Sequence, residues 1–152
     1  MNEKNKQKSN SFSNPFISTA INILSLSSRL EDFMSADVKK YNLTLPQFNV
    51  LYVLASHHTQ SIPLNKLTEK MIDKSSNTSR LIDKLVEKKL VDKQSINDDR
   101  RVVHISVSEK GWGLINQVSE QLELNLGMNM GTSRRNDIKK LIEELKIILR
   151  EE

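Results

Sequence analysis

The sequence predicts a mainly α chain of the α+β class, and three observations carry that expectation. Apolar residues recur at helical spacing through most of the 152 residues. Two short strand-like runs, Leu90 to Gln94 and Val102 to Val107, interrupt that pattern in one place only. The segment between them, Ser95 to Arg101, is polar and charged, as the tip of a hairpin should be.

The elements follow in order. Residues 1–15 are rich in Lys, Asn and Ser, with too little apolar surface to support a fold, and read as a disordered polar tail. From Phe16 to about Tyr41 a long helix is expected, with Ile17, Ala20, Ile21, Leu24, Leu30, Met34 and Val38 forming a broad apolar stripe. A second helix starts at a T-x-x-Q capping box, Thr44 and Gln47, with Pro46 in its first turn and Leu43 placed to staple onto Phe48. Pro63 opens a short third helix whose Leu64, Leu67 and Met71 face inward.

A fourth helix is expected from about Ser75, because Leu81, Ile82 and Leu85 share one face. After the hairpin, Ser108 is placed to cap a fifth helix, whose first turn Gly111 and Gly113 weaken. GMNMG, residues 127–131, reads as a loop, and Ser133 caps a last helix bearing Ile138, Leu141, Ile142, Leu145, Ile148 and Leu149. That stripe is wider than a lone terminal helix can bury. With the first helix it implies a helical dimerisation layer made of 16–42 and 112–152, around a reading domain at 43–111.

The fourth helix and the hairpin carry the chemistry. Opposite its apolar stripe the helix presents Ser75, Ser76, Asn77, Thr78, Ser79, Arg80, Asp83 and Lys84 at or near its start. Asn77, Arg80 and Lys84 stand at i, i+3 and i+7, one above another. Asn can pair with adenine through donor and acceptor, Arg can fork onto guanine, and hydroxyls and Lys84 can hold phosphates. A solvated surface helix would show the same face. The hairpin tilts the reading, since helix, strand, charged tip and strand is the order in which a winged helix-turn-helix with a two-stranded β wing meets double-stranded DNA. Arg100 and Arg101 end the tip, and Asp99 can hold the Arg101 guanidinium in one orientation for a narrow, strongly negative minor groove. The same Asp99 and Arg101 pair could instead serve only to hold the hairpin together.

Composition bounds the alternatives. The net charge of +4 is modest, but residues 61–110 hold 11 Lys or Arg against 8 Asp or Glu, so positive charge gathers in the expected reader. Without cysteine there is no disulfide, thiolate metal site or thiol chemistry. No apolar run approaches membrane-spanning length and the first residues lack the apolar core of a signal peptide, so a cytoplasmic protein without a membrane partner is expected. Ser, His and Asp are scattered with no nucleophile elbow, phosphate loop or paired acids, which argues against an enzyme and against any cofactor. His57, His58 and His104 are poorly placed to share a metal.

The segments LTLPQFNVLYVL, PLNKLTEKM, SSNTSRLIDKLVEKKLVDK and DDRRVVHISVSEKG resemble the MarR family of bacterial transcription regulators across roughly Phe16 to Arg150. The most specific part is the D-x-R wing, Asp99 and Arg101, followed by a strand and by S-E-K-G at Ser108 to Gly111. The resemblance implies a homodimer with interlocked terminal helices, reading a pseudo-palindromic site with recognition helices in major grooves and wings in minor grooves. It assigns groove insertion to Arg101, its orientation to Asp99, and base contact to Ser76, Asn77, Ser79 and Arg80. Repression is implied, with release by a small anionic or phenolic effector; Phe48, Tyr52 and Trp112 are the candidate lining, though aromatic residues so spaced are often plain core. Two positions depart from the pattern. Lys89 stands where a left-handed cap favours glycine, and Lys93 replaces an arginine at the wing entry. The competing class is a winged helix used as a protein-interaction module, its terminal helices binding a partner and its charged face merely solvated.

Overall fold

In the computed structural model the described residues are 15–57, 61–72, 77–95 and 103–129, with positions 136, 139, 140, 142, 143 and 145–147 beyond them. The element order is α1 (Pro15–Lys39), α2 (Leu45–Ala55), β1 (Ile62–Pro63), α3 (Leu64–Glu69), α4 (Thr78–Glu87), β2 (Val91–Ser95), β3 (Val103–Val107) and α5 (Glu109–Asn129). The backbone divides into two compact units, Met1–Leu45 and Pro46–Glu152.

In the first unit α1 exposes the stripe that its periodicity defines: Ile17, Ile21, Leu24 and Leu30 all lie open to solvent, Leu24 at 69%. Its C-terminal end is closed tightly. The amide of Leu43 reaches back to the Val38 carbonyl and that of Asn42 to the Lys39 carbonyl, with Asn42 at φ 58° between them. This is a Schellman closure, in which the left-handed residue turns the chain back over the helix end. Val38 and Leu43, the apolar pair that accompanies such a closure, are both buried.

The second unit is the winged helix. Its core is Leu51, Leu67, Ile82, Leu85, Val91, Ile105, Ile115 and Val118, drawn from both helices and strands. The two strands expected of the wing are present as β2 and β3, paired antiparallel. β1 adds a third strand, giving the antiparallel order β1-β3-β2, with Ile62 opposite Ile105 and Lys93 opposite Ile105 on the other side. Two residues are too few to show an alternating pattern, and Pro63, which the sequence marks as a helix start, is both the last residue of β1 and the extended N-cap of α3. Proline is tolerated because β1 is an edge strand. α4 packs on β2, and α5 on β3.

Two boundaries also differ from expectation. α4 begins at Thr78, with Asn77 as its N-cap, rather than near Ser75. α5 runs through Gly127 to Asn129 where a loop was expected, since a helical glycine costs only about 1 kcal/mol. The remainder of that loop, Met130 and Gly131, and the cap at Ser133 lie outside the described residues, as do the tail at 1–14 and His58. Ser108 caps α5 as its position implies, accepting from the Gly111 amide at 3.0 Å.

Candidate nucleic-acid interface

α4 is fixed at both ends. At its start the Asn77 side-chain oxygen accepts the Arg80 amide at 3.1 Å, satisfying one of the donors that a helix N-terminus leaves open. At its end the amides of Lys89 and Leu90 return to the carbonyls of Val86 and Leu85, a second Schellman closure, with Lys89 at φ 59°. The left-handed position inferred at Lys89 is therefore present and is held by a lysine, at a cost of about 1 kcal/mol relative to glycine. The buried pair Leu85 and Leu90 closes it from inside.

The carbonyls beyond α4 are taken up by the start of α5. Lys110 Nζ donates to Lys88 O at 3.0 Å, Ser108 Oγ to Lys89 O at 2.8 Å and the Ser108 amide to Leu90 O at 3.1 Å. Gly111 presses so closely on this turn that a Cβ there would collide with the Leu90 carbonyl oxygen and stand 2.8 Å from Val107 Cγ1. On the other side of the same turn Lys88 Nζ donates to the buried Gln47 Oε1 at 3.1 Å. Asp83 on α4 and Lys93 on β2 form an exposed ion pair at 3.1 Å that ties helix to wing.

The predicted site residues fall into three sets. Ser79, Arg80 and Lys84 lie exposed on α4, opposite the buried Ile82 and Leu85. No side-chain partner among the described residues holds Arg80. Asn77 is exposed, and its oxygen already accepts the Arg80 amide in the cap, which leaves one lone pair and the two amide donors. Thr78 turns inward, at 4% exposure, and presents no surface to a groove. Ser75, Ser76, Asp99, Arg100 and Arg101 lie outside the described residues.

Phe48 is buried, and its ring centroid lies 6.1 Å from that of the exposed Tyr52 one turn along α2; Trp112, in the first turn of α5, is also exposed. An open cavity of about 540 Å³ lies elsewhere, lined by Val86, Lys89, Val91, Lys93, Ser108 and Lys110 among others. Among the described residues no cluster of His, Cys, Asp or Glu could hold a metal ion, and no helix is long and apolar enough to cross a membrane. Sequence reasoning missed the Asp83–Lys93 pair and the lysine contacts that brace the end of α4. Only the basic run Lys88–Lys89 hinted at the last of these.

Residues 32–118 match the family model for the transcriptional regulator SarA/Rot. The HTH-type transcriptional regulator MhqR of Bacillus subtilis (strain 168) is 32% identical over 89 residues, which cover 59% of this chain and 60% of MhqR. The chain thus spans less than two thirds of that relative. Among solved structures, a MarR-like transcription regulator from Bacillus cereus ATCC 10987 superposes with a TM-score of 0.78 at 21% identity, covering 90% of this chain and 99% of that one. A cysteine-to-serine mutant of E. coli MarR in complex with operator DNA gives 0.71 at 18% identity, over 89% of this chain and 98% of its own. At these identities the likeness to solved structures is one of fold.

Proposed function

The chain belongs to the SarA/Rot family of transcriptional regulators, winged helices of the MarR type and not enzymes, and from that premise we propose that it binds operator DNA as a homodimer. In this reading α4 enters successive major grooves of a pseudo-palindromic site, and Asp99, Arg100 and Arg101, in the segment joining β2 and β3, serve the flanking minor grooves. The observation that carries it is the exposed face of α4. Ser79, Arg80 and Lys84 line one side of a helix whose opposite side is buried and whose two ends are both closed, so the donors are held on a rigid rod. Ser79 and Lys84 suit phosphates and Arg80 a guanine edge. Asn77 contributes by fixing the helix start.

The second copy would cover the open stripe of α1, and both terminal helices supply apolar surface for it: Ile142 and Ile147 are exposed as well. Repression is the sense of regulation we infer, with release by a small anionic or phenolic compound near Phe48, Tyr52 and Trp112. Such a compound would favour a dimer whose two recognition helices are wrongly spaced for the operator. A cytoplasmic location accords with this role.

Selection of bound duplexes from a random pool tests the reading directly. A palindrome is expected, bound with an affinity that falls steeply as salt rises. Arg101→Ala should weaken binding to it several-fold or more, and Arg80→Ala should relax preference at one base pair by about 1–3 kcal/mol. A pool that yields no common sequence, with binding insensitive to salt, would instead favour a protein-interaction module.

A further inference from the structure

Arg80, Lys84 and Lys88 recur every four residues and so form one ridge along α4. The first two lie exposed, whereas Lys88 is half-buried, its side chain drawn off the ridge toward α2. There its Nζ donates at 3.1 Å to the Oε1 of Gln47, which is only 3% exposed. A lysine ammonium is strongly hydrated and on a helix surface normally stays in water. Bringing it against an interior carboxamide gives up hydration and rotamer freedom, which the charge-assisted bond offsets. What such a bond adds above all is geometry.

Gln47 stands on a fixed base. α2 buries Gln47, Phe48, Asn49, Val50, Leu51 and Leu54, so a side chain rooted there cannot shift unless the packed core shifts with it. Lys88 is the C-cap of α4, and its carbonyl accepts Lys110 Nζ from the start of α5 at 3.0 Å. One residue thus ties the end of α4 to α2 by its side chain and to α5 by its main chain. Together these attachments resist rotation of α4 about its own axis, the motion that would swing Arg80 and Lys84 aside. The tolerance is narrow, since a rotation of about 15° moves a group about 6 Å from a helix axis by about 1.5 Å, enough to break a hydrogen bond. We propose that Gln47 is a positioning residue for DNA reading: through Lys88 it sets the rotation of α4, and so the base that Arg80 meets, without touching DNA. The inference rests on the function proposed above and adds to the reading face a residue of the interior.

The test uses the full chain, the duplex it selects from a random pool and an unrelated duplex of equal length, with affinities from fluorescence anisotropy. Gln47→Met removes the acceptor and keeps the length of the side chain. It should bind the selected duplex about tenfold more weakly, the discrimination of one base pair. Affinity for the unrelated duplex and the slope of affinity against salt should stay as in the wild type, because no phosphate contact is lost. Lys88→Met should lose the same discrimination, the double variant should lose no more than either single one, and Lys88→Arg, which keeps a donor, should retain most of it. Urea denaturation gives the folded fraction of each variant; a loss of folded protein weakens binding to both duplexes alike and leaves their ratio unchanged. Where Gln47→Met does not fold, Lys88→Met and Lys88→Arg carry the test. The proposal is overturned if either methionine variant, folded, keeps the wild-type ratio of the two affinities. Lys88→Met weakening both duplexes alike with a shallower salt slope is one such result, the mark of a direct phosphate contact. A wild type that selects no sequence at all would overturn the DNA-reading function itself, a distinguishable result.

Discussion

Helices α1 and α4 are both amphipathic, yet they turn opposite faces to the surroundings. α4 buries Ile82 and Leu85 and shows Ser79, Arg80 and Lys84, whereas α1 leaves Ile17, Ile21, Leu24 and Leu30 open. The same periodicity thus has two meanings, decided by what stands opposite. A helix with its apolar side covered and a cationic side exposed is complete as a folded element and available to an anionic partner. One with its apolar side exposed still lacks a partner for that side. On the function proposed above, the contrast would divide the labour of the chain: one helix to read, the other to assemble.

The contrast can be broken most severely at α1. Leu24→Glu places a carboxylate in the middle of the exposed stripe and, in a symmetric pair, brings like charges together. We expect the dimer to dissociate at least tenfold more readily in analytical ultracentrifugation, with duplex affinity falling in step. A dimer as strong as that of the wild type would mean that the α1 stripe meets something else. At α4, Asn77→Ala removes the oxygen that holds the Arg80 amide, and should lower stability in urea by about 1 kcal/mol. If Asn77 also reads a base, the same variant will relax sequence selection at one position; if it serves the cap alone, selection will be unchanged.

The smallest effect is the most diagnostic of the two helix ends. Both close with a left-handed residue, Asn42 after α1 and Lys89 after α4. Asparagine accepts that conformation more readily than lysine does. Lys89→Gly should therefore raise the urea midpoint, by up to about 1 kcal/mol of stability, while Asn42→Gly should change it less. Equal shifts at the two sites would show that the lysine is held by its surroundings without strain.

Much of this architecture is legible in the residues themselves. The stripe of α4, the two long wing strands, the Ser108 cap and the apolar face of α1 all follow from short-range periodicity and capping chemistry, which act within a few residues of chain. What escaped depends on partners distant in sequence. β1 exists only because Ile62 and Pro63 meet β3 some 40 residues later. Asn77 was ambiguous for a different reason, since the side chain that suits an adenine edge is also one that suits a helix N-cap. Thr78 follows Asn77 in a polar run that gives no sign of its turning inward. Gly111 looked like a weakness in α5, and only the neighbouring Leu90 carbonyl shows that nothing larger fits.

That close approach has a consequence for how the chain can vary. Val107 pairs with Val91, Ser108 binds the carbonyls of Lys89 and Leu90, and Gly111 presses on Leu90, all within five consecutive residues. A connection that meets the same short stretch of partner at nearly every step has no slack. Most links between elements absorb an inserted or deleted residue as a change of loop. Here a shift of one position would detach the serine, put a side chain where only glycine fits and set α5 off at a new angle, so the length of this join is as tightly constrained as any residue in it.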